Sequence, residues 1–228
     1  MILCDVGNSR MHFCIDDEVL HFEFDEGLKR FKDREIYFIS VNQEVTNRIR
    51  ERALKWKEIK SENHLKTSYK GLGIDRVCAC VVVESGVVVD AGSAITVDVM
   101  EDGVHLGGWI WPGLRTWLTS YTKISKKLSV SLETDIDVSK LPQSTTEAVS
   151  FGILAPIVTL IKTFSQNRKI ILTGGDAKVL SSLFPTAEVD ERVVFKGMKK
   201  MIKTRYKEED ENSSTKGRAA KKNLANSK

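Results

Sequence analysis

The chain lacks any run of eighteen uncharged apolar residues, and Met1 leads straight into strand-like sequence, which excludes a membrane span and a secretory signal and points to a cytoplasmic protein. Cysteine is scarce. Cys4 and Cys14 fall in strand-like runs, Cys78 and Cys80 lie in the apolar stretch Val77 to Val83, and no second pair stands at metal-ligand spacing. All four read as reduced core residues. The four histidines, His12, His21, His64 and His105, share no motif, and His12 and His21 read as strand residues rather than metal ligands. A basic surplus is missing too: from Thr204 onward seven Lys or Arg face four acids, a net +3 of the chain's +4, which leaves +1 for everything before. A body so near neutrality lacks the electrostatic footprint of a nucleic-acid binder. Lys196, Lys199, Lys200 and Lys203 read as the solvated face of a last helix, where cations complement the dipole. The run after Tyr206 holds too little apolar surface to offset its ordering entropy, and reads as a disordered or loosely helical tail without chemistry.

What is present is one phrase written twice. Asp5-Val6-Gly7-Asn8-Ser9 near the start is matched by Asp90-Ala91-Gly92-Ser93-Ala94 in the middle. A gapless alignment sets Asp5 on Asp90, Gly7 on Gly92, Asn8 on Ser93, Asp17 on Asp102 and Val19 on Val104. Each copy reads as strand, tight glycine turn, strand, acidic turn, strand. The strands of the first copy are Ile2 to Val6, Met11 to Ile15 and Val19 to Phe24. Those of the second are Val87 to Val89, Ile95 to Met100 and Val104 to Trp111, with Asp102-Gly103 as a hairpin dipeptide favouring positive φ. Glycine lets backbone approach a ligand closely, and successive N–H groups in a tight turn form a nest for phosphate oxygens. Asn8, Ser9 and Ser93 add side-chain donors. A carboxylate closing the preceding strand, Asp5 or Asp90, can hold a cation shared with phosphates. One such turn is an ordinary hairpin; two with the same carboxylate imply two lobes clamping a polyphosphate in a cleft.

The remaining elements follow from pattern. Helices are expected near Asp25 to Arg34, from Glu44 to about Lys55, over Ile74 to Glu84, from Pro112 to about Lys127, over Thr145 to Phe164 and over Ala177 to Phe184. Strands are expected at Ile36 to Val41, Trp56 to Ile59 and Ile170 to Leu172, with Thr173-Gly174-Gly175-Asp176 as a turn. The Thr145 helix is apolar on most faces, so it is buried within its lobe or at a subunit interface, the latter favoured by Trp111 and Trp117 nearby. Gly73-Ile74-Asp75-Arg76 opens a helix after a polar loop. Its acid is either a first-turn carboxylate favoured by the dipole or a general base, with Arg76 binding an anionic substrate or fixing the acid's orientation.

These residues match a family in order. The two Asp-x-Gly phrases, Gly73-Ile74-Asp75-Arg76, Thr96 with Asp98, Gly107-Gly108-Trp109-Ile110-Trp111-Pro112-Gly113-Leu114, and Ser144-Thr145 with Ala148 and Gly152 together resemble type III pantothenate kinase over nearly the whole chain up to the tail. The resemblance implies an α/β chain with a duplicated ribonuclease-H-like, actin-like ATPase fold. Two lobes with mixed five-stranded sheets flanked by helices, 1–84 and 85–205, would enclose a cleft, with 206–228 as the tail. It implies a homodimer, ATP-dependent phosphorylation of pantothenate at its primary hydroxyl, and a need for Mg2+ and a monovalent cation, K+ or NH4+.

The roles it implies are specific. Asp5, Val6, Gly7, Asn8, Ser9, Arg10, Met11 and His12 would form the first ATP loop, with Asp5 directed at Mg2+. Ser93 matches the second ATP-loop hydroxyl, and Asp90 the monovalent-cation ligand. Tyr69, Gly73, Ile74, Asp75, Arg76 and Thr145 would line the pantothenate site, with Asp75 accepting the hydroxyl proton. Ser9 and Ser93 stand where threonine is usual, which keeps the hydroxyl, and Ser144 stands where asparagine is usual. Two other readings share these features: a ribonuclease-H-like nuclease holding two metals, and a nucleotide-binding regulator that could dispense with Asp75.

Overall fold

The computed structural model describes residues 1–52, 55–60 and 64–204. The tail expected after Tyr206 lies outside the described residues, as does part of the loop expected from Ser61 to Lys70. Two sheets carry the chain. The first has strand order β3-β2-β1-β4-β5, built from β1 (Ile2–Val6), β2 (Met11–Ile15), β3 (Glu18–Phe22), β4 (Ile36–Ser40) and β5 (Trp56–Glu58). The second runs β11-β10-β7-β8-β9-β6, from β6 (Lys66–Thr67), β7 (Gly86–Ala91), β8 (Ala94–Glu101), β9 (Val104–Pro112), β10 (Ile170–Thr173) and β11 (Glu188–Val189). Reading β7 to β11 against β1 to β5 gives the same order and the same senses: two antiparallel pairings on one side of the first strand and two parallel on the other. The sequence duplication is therefore a duplication of topology. The second sheet adds β6, which pairs parallel with β9 although it precedes β7 in the chain.

The helices are α1 (Phe24–Phe31), α2 (Gln43–Glu51), α3 (Ile74–Val81), α4 (Leu114–Ile124), α5 (Thr145–Ser165), α6 (Ala177–Ser181) and a last helix, α7, over residues 193–204. They sort the molecule into layers. Ile2, Cys4 and Val6 on one face of β1 pack with Leu28, Phe31, Val45 and Ile49 of α1 and α2. Leu3 and Ile39 on the opposite face meet α3 and α7, which in turn meet Val88, Met100 and Ile171 of the second sheet. The outer face of that sheet, Val87, Val89, Ile95 and Val97, is covered by α5 and α6. The strand period of two thus sends alternate residues of β1 and β7 into a shared middle layer. There α7 crosses α3 so closely that a Cβ at Gly197 would overlap the Cys78 carbonyl.

All four cysteines are free and buried in this core. The helix over Thr145–Ser165 is long and apolar enough to cross a membrane by length and composition. Here it is a core helix: Val149, Ile153, Leu154, Ile157, Val158 and Ile161 are buried against the second sheet, while Leu160 and Phe164 remain exposed. Ser144 caps it, accepting from the Glu147 N–H at 3.2 Å.

Several expectations shift. Both acidic hairpin turns hold two residues at positive φ, Asp16 with Asp17 and Asp102 with Gly103, as a two-residue turn matched to strand twist requires. That pairs Asp17 with Gly103, not with Asp102 as the gapless alignment has it. The second loop closes earlier, Gly92 N–H to Ala94 O against Gly7 N–H to Arg10 O, and β8 is longer than β2. Pro112 ends β9 rather than beginning α4, which starts at Leu114. A proline at a strand's last residue sacrifices no ladder bond.

Candidate active site

Asp5 shares a face of β1 with Leu3, and Asp90 shares a face of β7 with Val88, so both carboxylates point into the middle layer. Asp75 enters that layer from the first turn of α3, where Gly73 is the N-cap and the Asp75 carboxylate accepts from the Arg76 N–H at 2.8 Å. Burial, then the charges of Asp75 and Asp90, push the Asp5 carboxyl well above the usual carboxylate range. Burial followed by Asp75 and Asp98 pushes Asp90 up to about 7. Burial also raises Asp75, against the pull of the Arg76 N–H and guanidinium. Asp5, Asp75 and Asp90 thus repel one another in a buried setting, an arrangement that a cation would relieve. Asp5 Oδ1 is buried with no hydrogen-bond partner among the described residues, the kind of orphan that a metal ligand leaves.

The two loops meet across this cluster. Ser9 Oγ lies 2.7 Å from Ser93 Oγ although the residues are 84 apart in sequence. A third turn, Thr173 to Asp176, abuts the second loop, with the Asp176 N–H donating to the Ala91 carbonyl at 2.9 Å. The first loop, with Gly7, Asn8 and Ser9, is thus in contact with the second, with Gly92 and Ser93. Val6 and Met11, in contrast, are fully buried in the core and offer the loop only their backbone. Arg10 turns aside to an exposed pair with Glu23 at 3.1 Å, a contact worth under about 1 kcal/mol. His12 sits opposite Asp5 in the ladder and shares a hydrogen bond of 2.6 Å between its Nδ1 and that of His21. Burial, then His21 and Arg10, lower its pKa to about 4, so it is neutral near pH 7.

The acceptor-side residues divide. Gly73 and Asp75 are at the cleft, but Ile74 packs into the core as the anchor of α3. Arg76 is buried, with Nε 2.9 Å from Asp98 Oδ2 and Nη2 2.7 Å from Asp98 Oδ1, and its Nη1 3.4 Å from the Tyr69 hydroxyl. Burial works against its charge, and the bonds to Asp98 and Tyr69 outweigh it. Its guanidinium is committed inside the protein, which favours the orienting role over capture of a substrate anion. Thr145 stands exposed in the first turn of α5, with no hydrogen bond to the carboxylates among the described residues.

Asp98 and His105 extend the site beyond the residues assigned roles from sequence. His105 Nε2 is 2.8 Å from Asp98 Oδ1, and the Cys80 thiol lies close enough for the three to resemble metal ligands. Asp98 has both oxygens on Arg76, and burial pushes the Cys80 thiol far up, so the trio is a hydrogen-bonded core and not a thiolate centre. The only sequence signal for His105 was its place between Asp98 and Gly107-Gly108, and strand parity hides it.

Comparison with known proteins agrees with this geometry. The profile of the type III pantothenate kinase family matches residues 26–167. A type III pantothenate kinase of Helicobacter pylori (strain ATCC 700392 / 26695) is 43% identical over 204 residues, 89% of this chain and 91% of that protein. One of Campylobacter jejuni (strain RM1221) is 39% identical over 203 residues, 89% of this chain and 97% of that one. Among solved structures, a Campylobacter jejuni protein described as a Baf family transcriptional activator superposes with a TM-score of 0.81 at 37% identity, over 91% of this chain and all of that one. A 2-dehydro-3-deoxygalactonokinase from Sinorhizobium meliloti shares the fold alone, with a TM-score of 0.53 at 9% identity over 90% of this chain and 99% of that one. On the profile, the identities and the duplicated topology together, this chain belongs to the type III pantothenate kinase family.

Proposed function

We propose that the chain transfers the γ-phosphoryl group of ATP to the primary hydroxyl of pantothenate, the entry step to coenzyme A. The observation that supports this reading is the 2.7 Å contact between Ser9 and Ser93, which brings the two loops together so that they could hold one polyphosphate. Backbone N–H groups of both loops, with Asn8, Ser9 and Ser93, would grip the phosphates. Asp5 would hold Mg2+ and Asp90 the monovalent cation, K+ or NH4+; bound there, the ions would neutralise phosphate charge and the repulsion among the carboxylates. Asp75 orients the alcohol and takes its proton as the bond from oxygen to phosphorus forms and the bond to the departing ADP oxygen breaks. Its raised pKa suits a group that must accept a proton. Little covalent work falls to the protein, since in a loose transition state positioning and electrostatics supply most of the acceleration. Tyr69 and Gly73 line the acceptor side, while Arg76 and Ile74 hold Asp75 in place from behind. A cytoplasmic location fits the supply of ATP.

The test is Asp75→Asn. Turnover in a coupled ADP-release assay should fall by about a hundredfold or more, while ATP affinity stays within about twofold. Near-normal turnover would remove Asp75 from the mechanism.

A homodimer belongs to the same proposal, and an uncovered helix supports it. The eleven residues of α4 bury only Leu114, leaving Trp117, Leu118 and Tyr121 half-covered, Ile124 74% exposed, and Phe164 of α5 47% exposed beside Trp109. An apolar face of this kind marks an interface. Sedimentation should give twice 25.6 kDa for the wild type and a single copy for Trp117→Glu; a wild-type monomer would dismiss the dimer.

A further inference from the structure

His105 is an imidazole with no side-chain exposure, unused by the steps above. The backbone is specially shaped to put it where it is. In the β8·β9 ladder Gly108 opposes Asp98 and Gly107 opposes Val99, but His105 opposes Met100, so Leu106 is an extra residue in a bulge between Val99 and Met100. The bulge reverses strand parity. His105 therefore faces the same side as Asp98 and Met100, whereas an unbroken strand would turn it to the other face. Gly108 completes the fit: a Cβ there would overlap the Val97 carbonyl and lie 2.7 Å from Asp98 Oδ1 and 2.8 Å from Arg76 Nη2.

Every polar atom of this imidazole is committed. Nε2 meets Asp98 Oδ1 at 2.8 Å, and Nδ1 meets Thr67 Oγ1 at 2.8 Å. The Asp98 carboxylate can only accept, so Nε2 carries the proton and donates it. In the neutral ring Nδ1 then accepts, and the Thr67 hydroxyl donates to it. The Thr67 oxygen keeps a lone pair for the Tyr69 N–H, 3.0 Å away. Tyr69 in turn lies over the Arg76 guanidinium, 5.0 Å from its ring centre. One chain of contacts thus runs from the residue beside Asp75 through Asp98, His105 and Thr67 to Tyr69, and closes on itself.

We propose that His105 is a positioning residue of the acceptor site. Through Thr67 it fixes the turn that carries Tyr69, and through Asp98 it holds the Arg76 guanidinium under the Tyr69 ring. Without it that turn is tied to the second sheet by a strand of only two residues, Lys66–Thr67. The inference rests on the assignment of Tyr69 to the pantothenate wall. It predicts an effect on the acceptor side, because among the described residues the members of this chain of contacts hydrogen-bond to one another and, through the Arg76 N–H, to Asp75, and none hydrogen-bonds to the phosphate loops.

The test compares Thr67→Val, Thr67→Ser and His105→Ala with the wild type in steady-state kinetics and in calorimetric titration with pantothenate. Thr67 is exposed, so Thr67→Val deletes the hydroxyl at constant shape without endangering the fold. Thr67→Val and His105→Ala should each raise the KM and Kd for pantothenate about tenfold, the size of one lost buried hydrogen bond, and leave the KM for ATP within about twofold. Thr67→Ser should restore wild-type values. The proposal is overturned if an active wild type is matched by Thr67→Val in pantothenate KM and Kd, or if both KM values rise together. A wild type that forms no phosphopantothenate would overturn the kinase reading itself.

Discussion

Asp90 stands on the inner face of β7 with its carboxyl raised from 3.8 to about 7, by burial first and then by Asp75 and Asp98. Between those values the folded protein keeps a proton that the unfolded chain has lost. The folded state binds more protons, so stability falls as pH rises through this window. With tetramethylammonium as the only cation, the melting temperature should drop from about pH 5 to about pH 8. Asp90→Asn should flatten that slope and melt higher at the alkaline end, while losing turnover if Asp90 is the cation ligand of the proposed function. Equal slopes in the two proteins would mean that Asp90 is not the strained group. On the proposed function, cations bound among these carboxylates would relieve the repulsion. At this scale the sequence was informative wherever a carboxylate ended a strand. For Arg76 it left two readings open, binding a substrate anion or orienting Asp75, and the geometry pairs its guanidinium with Asp98.

Elements with a strong period were legible and those without one were not. The short apolar runs of β1, β2, β7 and β8 marked the strands, while their faces, and the inward aim of Asp5 and Asp90, came with the structure. The two-residue strands Lys66–Thr67 and Glu188–Val189 are exposed throughout and offer no pattern to read. Helix α3 formed despite its valines because the layer between two sheets has room for a helix, and tertiary packing outweighs a weak β preference. Pro112 misled because proline suits a helix's first turn and also the end of a strand, here opposite Ala94. The bulge at Leu106 escaped notice for a related reason. It breaks the period that sequence reading relies on, and so concealed His105, the residue that it serves to aim.

At the scale of the molecule, the repeat predicted two lobes and the structure gives two sheets of matching order around a shared helical layer. The lobes expected at 1–84 and 85–205 are interlocked: β6 from the first stretch edges the second sheet, and α7 from the second stretch packs on the first. The two loops touch at Ser9 and Ser93, and the proposed function has one nucleotide bridge them. The double variant Ser9→Cys/Ser93→Cys measures that claim most directly. Its introduced thiols replace hydroxyls 2.7 Å apart, near enough for a bond of about 2.05 Å after small adjustment, and the four native cysteines are buried. Mild oxidation should link the two loops in the free protein, and ATP with Mg2+ should slow the linkage by occupying the space between them. Failure to link, or a rate indifferent to ATP, would show that the loops do not share a nucleotide.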